Sequence, residues 1–467
     1  MSAHNAPARI SPATLHLSCI DLAQAGRWFQ DGLGLIPAGG TRLMGRGPLI
    51  HDISEQPGAE AVRWRMLAAN SRFRIDLYQF ATPLPRLAPA GAEVSDIGYN
   101  RITVHAPDFQ ATLDRLARLG SPPIGPVTGS KPDRRACVCN PDGLFVEIME
   151  SDLLPDAPRE PGREGSVAIR AIAISTPDLD ASIASFSALL GESPGNSQVH
   201  DDAHEPRCGV RSAQSRRATF RGEEMLIELV EYASPGGRPR PSDWRISDQG
   251  VFAIAFTANN ILAYRAMLER AEAAGAKSRE ARLDHPDRGS TFVRDGQGFL
   301  LELAWQDRAN DFGYRPRPAN RLVSPERWTV RAVTTIAAPL DRVWRALNDH
   351  ERMGRWIQAD EFHVTKDGFP DSAGYGAERL LITYGRRVSQ QVTRVYPGHV
   401  GYRAIAGTPF NYHNGTVDAS SEDSETRLEW TIRFRTNPAP VGKAVHPQLQ
   451  QGIEEMLDAL KDMVEAE

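Results

Sequence analysis

The chain has 467 residues, which at roughly 150 residues per domain suggests about three domains. With 41% hydrophobic and 24% charged residues it can bury several cores, so a wholly disordered chain is excluded. A formal net charge of −5 leaves no basic field for nucleic acid or anionic lipid.

In chain order, one pattern recurs four times. It begins at Thr14 (TLHLSCIDLAQAGRWFQDGLGL), Arg101 (RITVHAPDFQATLDRLARLG), Ala171 (AIAISTPDLDASIASFSALLG) and Ala253 (AIAFTANNILAYRAMLERAEAAGA). Alternating apolar residues predict a half-buried strand. Asp21, Asp108, Asp178 and Asn259 or Asn260 follow as helix caps, then an amphipathic helix that stops at or near Gly. Each unit closes on a strand carrying an acid: Asp76, Glu147, Glu228 and Glu302. These acids lie 71 and 74 residues apart within pairs, and 152 and 155 apart between pairs. Four βαβββ modules follow, read as two tandem domains of two modules each. Residues 155–165 read as the linker between them.

A second Pro- and Arg-rich linker spans 309–327. Beyond it come a strand (WTVRAVTTIAA), a helix (PLDRVWRALND) and a run of short strands. A long amphipathic helix from about Val441 closes the chain, with Val445, Leu449, Ile453, Met456, Leu457, Leu460, Met463 and Val464 on one stripe. Glu378 and Arg379 read as a surface or rim pair. Trp344, Trp356 and Trp430 read mainly as core. No run of 18 apolar residues is present, and MSAHNAPARISPAT lacks the apolar core of a secretory signal. The expectation is a cytoplasmic protein without nucleic-acid or membrane partners. Four cysteines fit a reducing compartment, and the Cys137–Cys139 C-x-C pair has no second pair to make a zinc site.

The strand–Asp–Leu–helix–Leu-Gly pattern, with NPDGLFVEI at 140–148 and DGQGFLLEL at 295–303, resembles the vicinal oxygen chelate superfamily of glyoxalase I, extradiol dioxygenases and bleomycin-resistance proteins. The resemblance covers residues 10–152 and 166–308 and implies two half-open barrels. Metal-using members place His, Gln or Glu seven residues before the capping Asp, and a Glu on the last strand. Here those first-strand positions are Thr14, Arg101, Ala171 and Ala253, none a competent ligand. The acids Asp76, Glu147, Glu228 and Glu302 remain, with Thr14 among the ligand-contacting positions. Metal-free acid–base chemistry is therefore expected, with Glu147 as first choice of base, Glu302 or Glu228 next, and Arg101 opposite Glu147 holding the substrate oxygen. The alternative is a divalent metal held by a displaced His16 together with Glu147 and Asp76. His200 and His204 have H-x-x-x-H spacing but read as a solvated loop.

Residues 328–467 resemble the START-like SRPBCC superfamily of polyketide cyclases and dehydrases. The resemblance rests on AAPLDRVWRALND, RWI, GYGAER at 374–379, YRAIAGTPFNYHNGTV at 402–417 and LEWTI at 428–432. It implies a helix-grip fold around an apolar ligand space, with Trp356, Tyr384, Tyr402, Tyr412 and His413 as ligand contacts. Of the adjacent Tyr412 and His413, only one can point inward. The overall expectation is an α+β protein acting on a bulky hydrophobic carbonyl or phenolic compound by isomerisation, cyclisation, dehydration or lyase chemistry, with no organic cofactor. The alternatives are a non-catalytic hydrophobic-ligand binder and a metal-dependent dioxygenase or glyoxalase. Domains of the first superfamily often pair, so both a homodimer and pairing within the chain are open.

Overall fold

A computed structural model describes residues 10–43, 55, 58–163, 165–195, 199–200, 203–285, 288–306, 322–383 and 385–467. Most of the expected 309–327 linker, and Tyr384, lie outside the described residues. The chain forms two compact units, one of residues 1–88 with 92–323, the other of 89–91 with 324–467.

Four modules build unit one. The first holds β1 (Ile10–Ser18), α1 (Leu22–Arg27) continued by a π turn over Trp28–Gly32, β2 (Ile36–Leu43), β3 (Glu60–Leu67) and β4 (Arg74–Thr82). The second holds β5 (Gly98–His105), α2 (Phe109–Arg118), β6 (Arg135–Cys139) and β7 (Phe145–Met149). The third holds β8 (Ala168–Ser175), α3 (Leu179–Leu190), α4 (His204–Arg207), β9 (Gln214–Arg221) and β10 (Leu226–Ser234). The fourth holds β11 (Gly250–Ala258), α5 (Ile261–Ala273), β12 (Lys277–His285), β13 (Arg288–Arg294) and β14 (Leu300–Gln306). Asp21, Asp178 and Asn260 accept the backbone N–H of Gln24, Ala181 and Ala263, contacts typically worth ~1 kcal/mol each. Asp108 makes no such bond.

The modules do not pair in chain order. One sheet runs β12-β13-β14-β11-β1-β4-β3-β2 and joins the first module to the fourth. The other runs β6-β7-β5-β8-β10-β9 and joins the second to the third. The expected division at 10–152 and 166–308 therefore gives way to one unit. The physical reason lies in the strand edges. Each module's first strand has an open edge, and β5 and β8, the first strands of consecutive modules, fill theirs antiparallel. That leaves β1 and β11 for each other, 240 residues apart in sequence. Alternation then sorts the side chains: Leu15 and Leu17 join the main core with the helices, while His16 faces the other way.

Unit two holds β15 (Trp328–Ile336), α6 (Leu340–Asn348), α7 (His350–Trp356), β16 (Glu361–Lys366), β17 (Glu378–Thr383), β18 (Arg386–Tyr396), β19 (His399–Ala406), β20 (Phe410–Glu422), β21 (Glu425–Thr436) and α8 (Val441–Glu465). Its seven-stranded antiparallel sheet runs β15-β21-β20-β19-β18-β17-β16. Ile453, Leu457, Leu460 and Val464 of α8 pack into one core with Trp356, Leu381, Tyr402, Trp430 and Ile432, which is the helix-grip arrangement. Burying each such side chain contributes roughly 1.5–3 kcal/mol.

Candidate functional site

The parallel registers decide which residues stand beside the four acids. His16 lies beside Asp76, Thr103 beside Glu147, Ala173 beside Glu228 and Ala255 beside Glu302. The expected positions Thr14, Arg101, Ala171 and Ala253 lie two residues before these partners, on the same face of each strand. Of the four register partners, only His16 has a ligand or acid–base side chain.

In the first-and-fourth sheet, His16 is buried and its Nε2 lies 2.9 Å from Glu302 Oε2. It does not join Glu147, which belongs to the other sheet. Tyr78, Phe252 and Phe292 surround the imidazole, with centroids 5.8, 5.6 and 6.3 Å away. Among the described residues, His16 Nδ1 has no hydrogen-bond partner. Burial pushes the Glu302 carboxyl up, but the His16 hydrogen bond and the nearby His16 and Arg74 charges hold it below its ordinary range. An ionised carboxylate only accepts, so His16 donates through Nε2. Glu302 keeps 20% of its side chain exposed and is the open member of the pair. Asp76 is not available to a ligand. Arg65 grips it with two bonds of 2.8 and 2.9 Å, and Arg63 lies 3.5 Å away. Thr14 is buried on β1.

The second-and-third sheet carries a different constellation. Arg101 pairs with Glu228 at 3.1 Å rather than with Glu147. The segment expected to be solvated supplies most of the rest. His204 is buried and His200 keeps only 5% of its side chain exposed. His200 Nε2 meets Glu228 at 2.8 Å, and its Nδ1 lies 3.4 Å from Glu147. His204 Nδ1 and Arg207 Nη1 reach Glu147 Oε1 at 3.2 and 2.7 Å, and Thr103 donates to Oε2 at 3.2 Å. The two imidazoles stack 3.6 Å apart. Burial opposes ionisation of both acids, yet the surrounding histidine and arginine donors hold them well below the carboxylate range. Burial lowers His200, but the charges of Glu228 and Glu147 outweigh it and raise its pKa. The H-x-x-x-H spacing was the available signal for this cluster.

A metal set of the family's kind does not fit either sheet. In the first, His16 and Glu302 hold each other and Asp76 holds two arginines, short of the three protein ligands of an open catalytic site. In the second, Arg101 and Thr103 stand where a ligand would. A displaced set does exist there: one ligand atom each from Glu147, His200 and His204 lie within 4.8 Å of one another.

In unit two, Trp356 and Trp430 are core, and Trp430 Nε1 donates to Tyr402 Oη at 2.9 Å. His413 lies on the Tyr402 side, their rings 5.7 Å apart, and its Nδ1 accepts the Ala404 N–H at 3.1 Å. Tyr412 alternates to the other face, where its hydroxyl accepts from Asn414 at 3.2 Å. It is therefore not an inward ligand contact. Arg379 is not a rim residue but is buried.

Residues 327–465 match the family model described as polyketide cyclase / dehydrase and lipid transport. That description fits a unit that binds or transforms a hydrophobic ligand. No curated protein matches the chain. Among solved structures, glyoxalase I from Zea mays is similar at 14% identity and a TM-score of 0.42, over 65% of this chain and 93% of that one. A protein from Thermus thermophilus is similar at 20% identity and a TM-score of 0.26, over 30% of this chain and 98% of its own. A Chromobacterium violaceum protein aligns at 19% identity and a TM-score of 0.24, over 29% and 96%. Among the described residues, no helix is long and apolar enough to cross a membrane.

Proposed function

We propose that the chain is an enzyme acting on a bulky hydrophobic carbonyl or phenolic compound by metal-independent acid–base chemistry, with Glu302 and His16 as the reacting pair. One observation carries this reading: the 2.9 Å His16–Glu302 contact inside a ring of Tyr78, Phe252 and Phe292, with Glu302 as its open side. Glu302 takes a proton from the carbon beside the substrate carbonyl, or from a phenolic oxygen, and returns it one step later. His16 orients the carboxylate through Nε2–H and supports its charge. The aromatic rings supply the apolar wall for the substrate body. Isomerisation, cyclisation, dehydration and lyase steps all begin with such a proton removal. Unit two is read as the hydrophobic-ligand domain that accompanies this site, on the strength of its family-model match.

The test is deuterium exchange from D2O into the α-carbon of a bulky ketone such as 2-tetralone, followed by NMR. The native chain is expected to catalyse the exchange, and Glu302→Gln to lower it by roughly 10²–10⁴-fold, the range for a positioned base. Equal exchange in both sinks the assignment.

A second reading is favoured by the spacing of Glu147, His200 and His204. These residues would hold a divalent cation, which supplies Lewis-acid polarisation of a substrate oxygen. Metal analysis after incubation with zinc tests it. Stoichiometric zinc that His204→Ala loses supports it, and an unloaded native chain removes it.

A further inference from the structure

Arg379 sits on β17, ERLLIT, where alternation puts it on the same face as Leu381, a residue of the unit-two core. The cross-strand register carries that face onward. Arg379 pairs with Gln390 and Gln390 with Ala404, and Tyr402 lies two residues along from Ala404. The guanidinium therefore faces the inside of the fold, and the residue is 4% exposed.

Its partners fall short of what a buried guanidinium needs. Arg379 Nε donates to His350 Nε2 at 3.1 Å, which leaves the His350 proton on Nδ1. Arg379 Nη2 and His350 Nδ1 are both buried without a hydrogen-bond partner among the described residues. The neighbouring Glu378 turns away, to Gln391 at 3.1 Å and Lys366 at 3.6 Å. Burial pushes Arg379 down to about 10, and burial together with the Arg379 charge pushes His350 down to about 4. Asp349, Asp367 and Asp371 draw His350 the other way without restoring it. A buried charge without its counter-ion is costly, and here two neighbouring donors and one positive charge have no acceptor.

We propose that unit two binds a hydrophobic carboxylate, its head held by Arg379 and its apolar body along Leu381, Tyr402, Trp356 and Trp430. A carboxylate matches the planar guanidinium fork and takes the Nη2 hydrogens that no described residue accepts, while His350 holds Nε in place. This rests on reading unit two as a hydrophobic-ligand domain and adds the charge of the ligand to it.

The experiment is calorimetric titration of the full chain with decanoate and with 1-decanol, which share a tail and differ in the head. Decanoate is expected to bind at least about tenfold tighter. Arg379→Met is expected to bring decanoate down to the level of decanol and leave decanol unchanged. Equal affinities in the native chain overturn the anionic head and leave the hydrophobic site standing. Binding of neither overturns both. Without ligand, Arg379→Met is expected to unfold at the same or a higher temperature, because it removes an unpaired buried charge. A lower midpoint shows that the guanidinium is satisfied within the fold, and the proposal falls.

Discussion

Acid is expected to loosen unit two through His413. Its Nδ1 accepts the Ala404 N–H at 3.1 Å, which only an imidazole unprotonated at that nitrogen can do. The side chain is buried against Tyr402 and Phe410. Burial pushes its pKa from the ordinary 6.5 down to about 4. Between these values the unfolded chain binds a proton that the folded chain refuses. The contribution is therefore fully present above pH 6.5 and is lost as the pH falls toward 4. One pKa unit corresponds to about 1.4 kcal/mol, so the loss by pH 4 comes to about 3 kcal/mol. His413→Asn keeps an acceptor near the Ala404 N–H and cannot titrate in this window. Urea unfolding at pH 7 and pH 4, followed by tryptophan fluorescence, should show a fall in stability about 3 kcal/mol smaller for His413→Asn than for the native chain. Carboxylates and the other histidines titrate in both proteins and cancel in that difference. Equal losses in the two proteins would refute the reasoning.

Three further outcomes follow from the geometry. Arg101→Met leaves Glu228 buried without its guanidinium and should cost roughly 3–5 kcal/mol in chemical unfolding, part of which Arg101→Met with Glu228→Leu recovers. Gly415→Ala places a Cβ against the Tyr402 ring and should cost roughly 1–3 kcal/mol by the same assay, while an added Tyr402→Leu relieves it. His16→Phe should keep the fold, since three rings already surround the position, yet lower the tetralone exchange; unchanged exchange removes His16 from the pair.

The modules were legible because strand alternation and capping side chains are local. Asp21, Asp178 and Asn260 sit where their helices begin, and the stripe on α8 is the buried one. The pairing of modules was not legible, since the edge between β1 and β11 leaves no mark on either strand's own pattern. The His200–Arg207 segment has no periodicity, so its polar composition pointed to solvent while its histidines and arginine in fact neutralise two buried acids. Arg379 was hidden by its neighbour. Glu378 beside it suggested a surface pair, although parity with Leu381 already placed the two charges on opposite faces. Tyr402 and His413 share the inner face of the sheet, and Tyr412, one residue before His413, turns to the other by the same alternation.

The crossed pairing of first with fourth and second with third modules also frees the unit from symmetry. Two identical two-module chains pairing in this way would have two identical half-barrels, and every substitution would appear in both. One continuous chain lifts that constraint. One half-barrel can fill with its own histidines and arginines, from His200 to Arg207, and act as a scaffold. The other can keep Glu302 open beside a buried His16 among aromatic rings, and the two can diverge in sequence while still sharing one core.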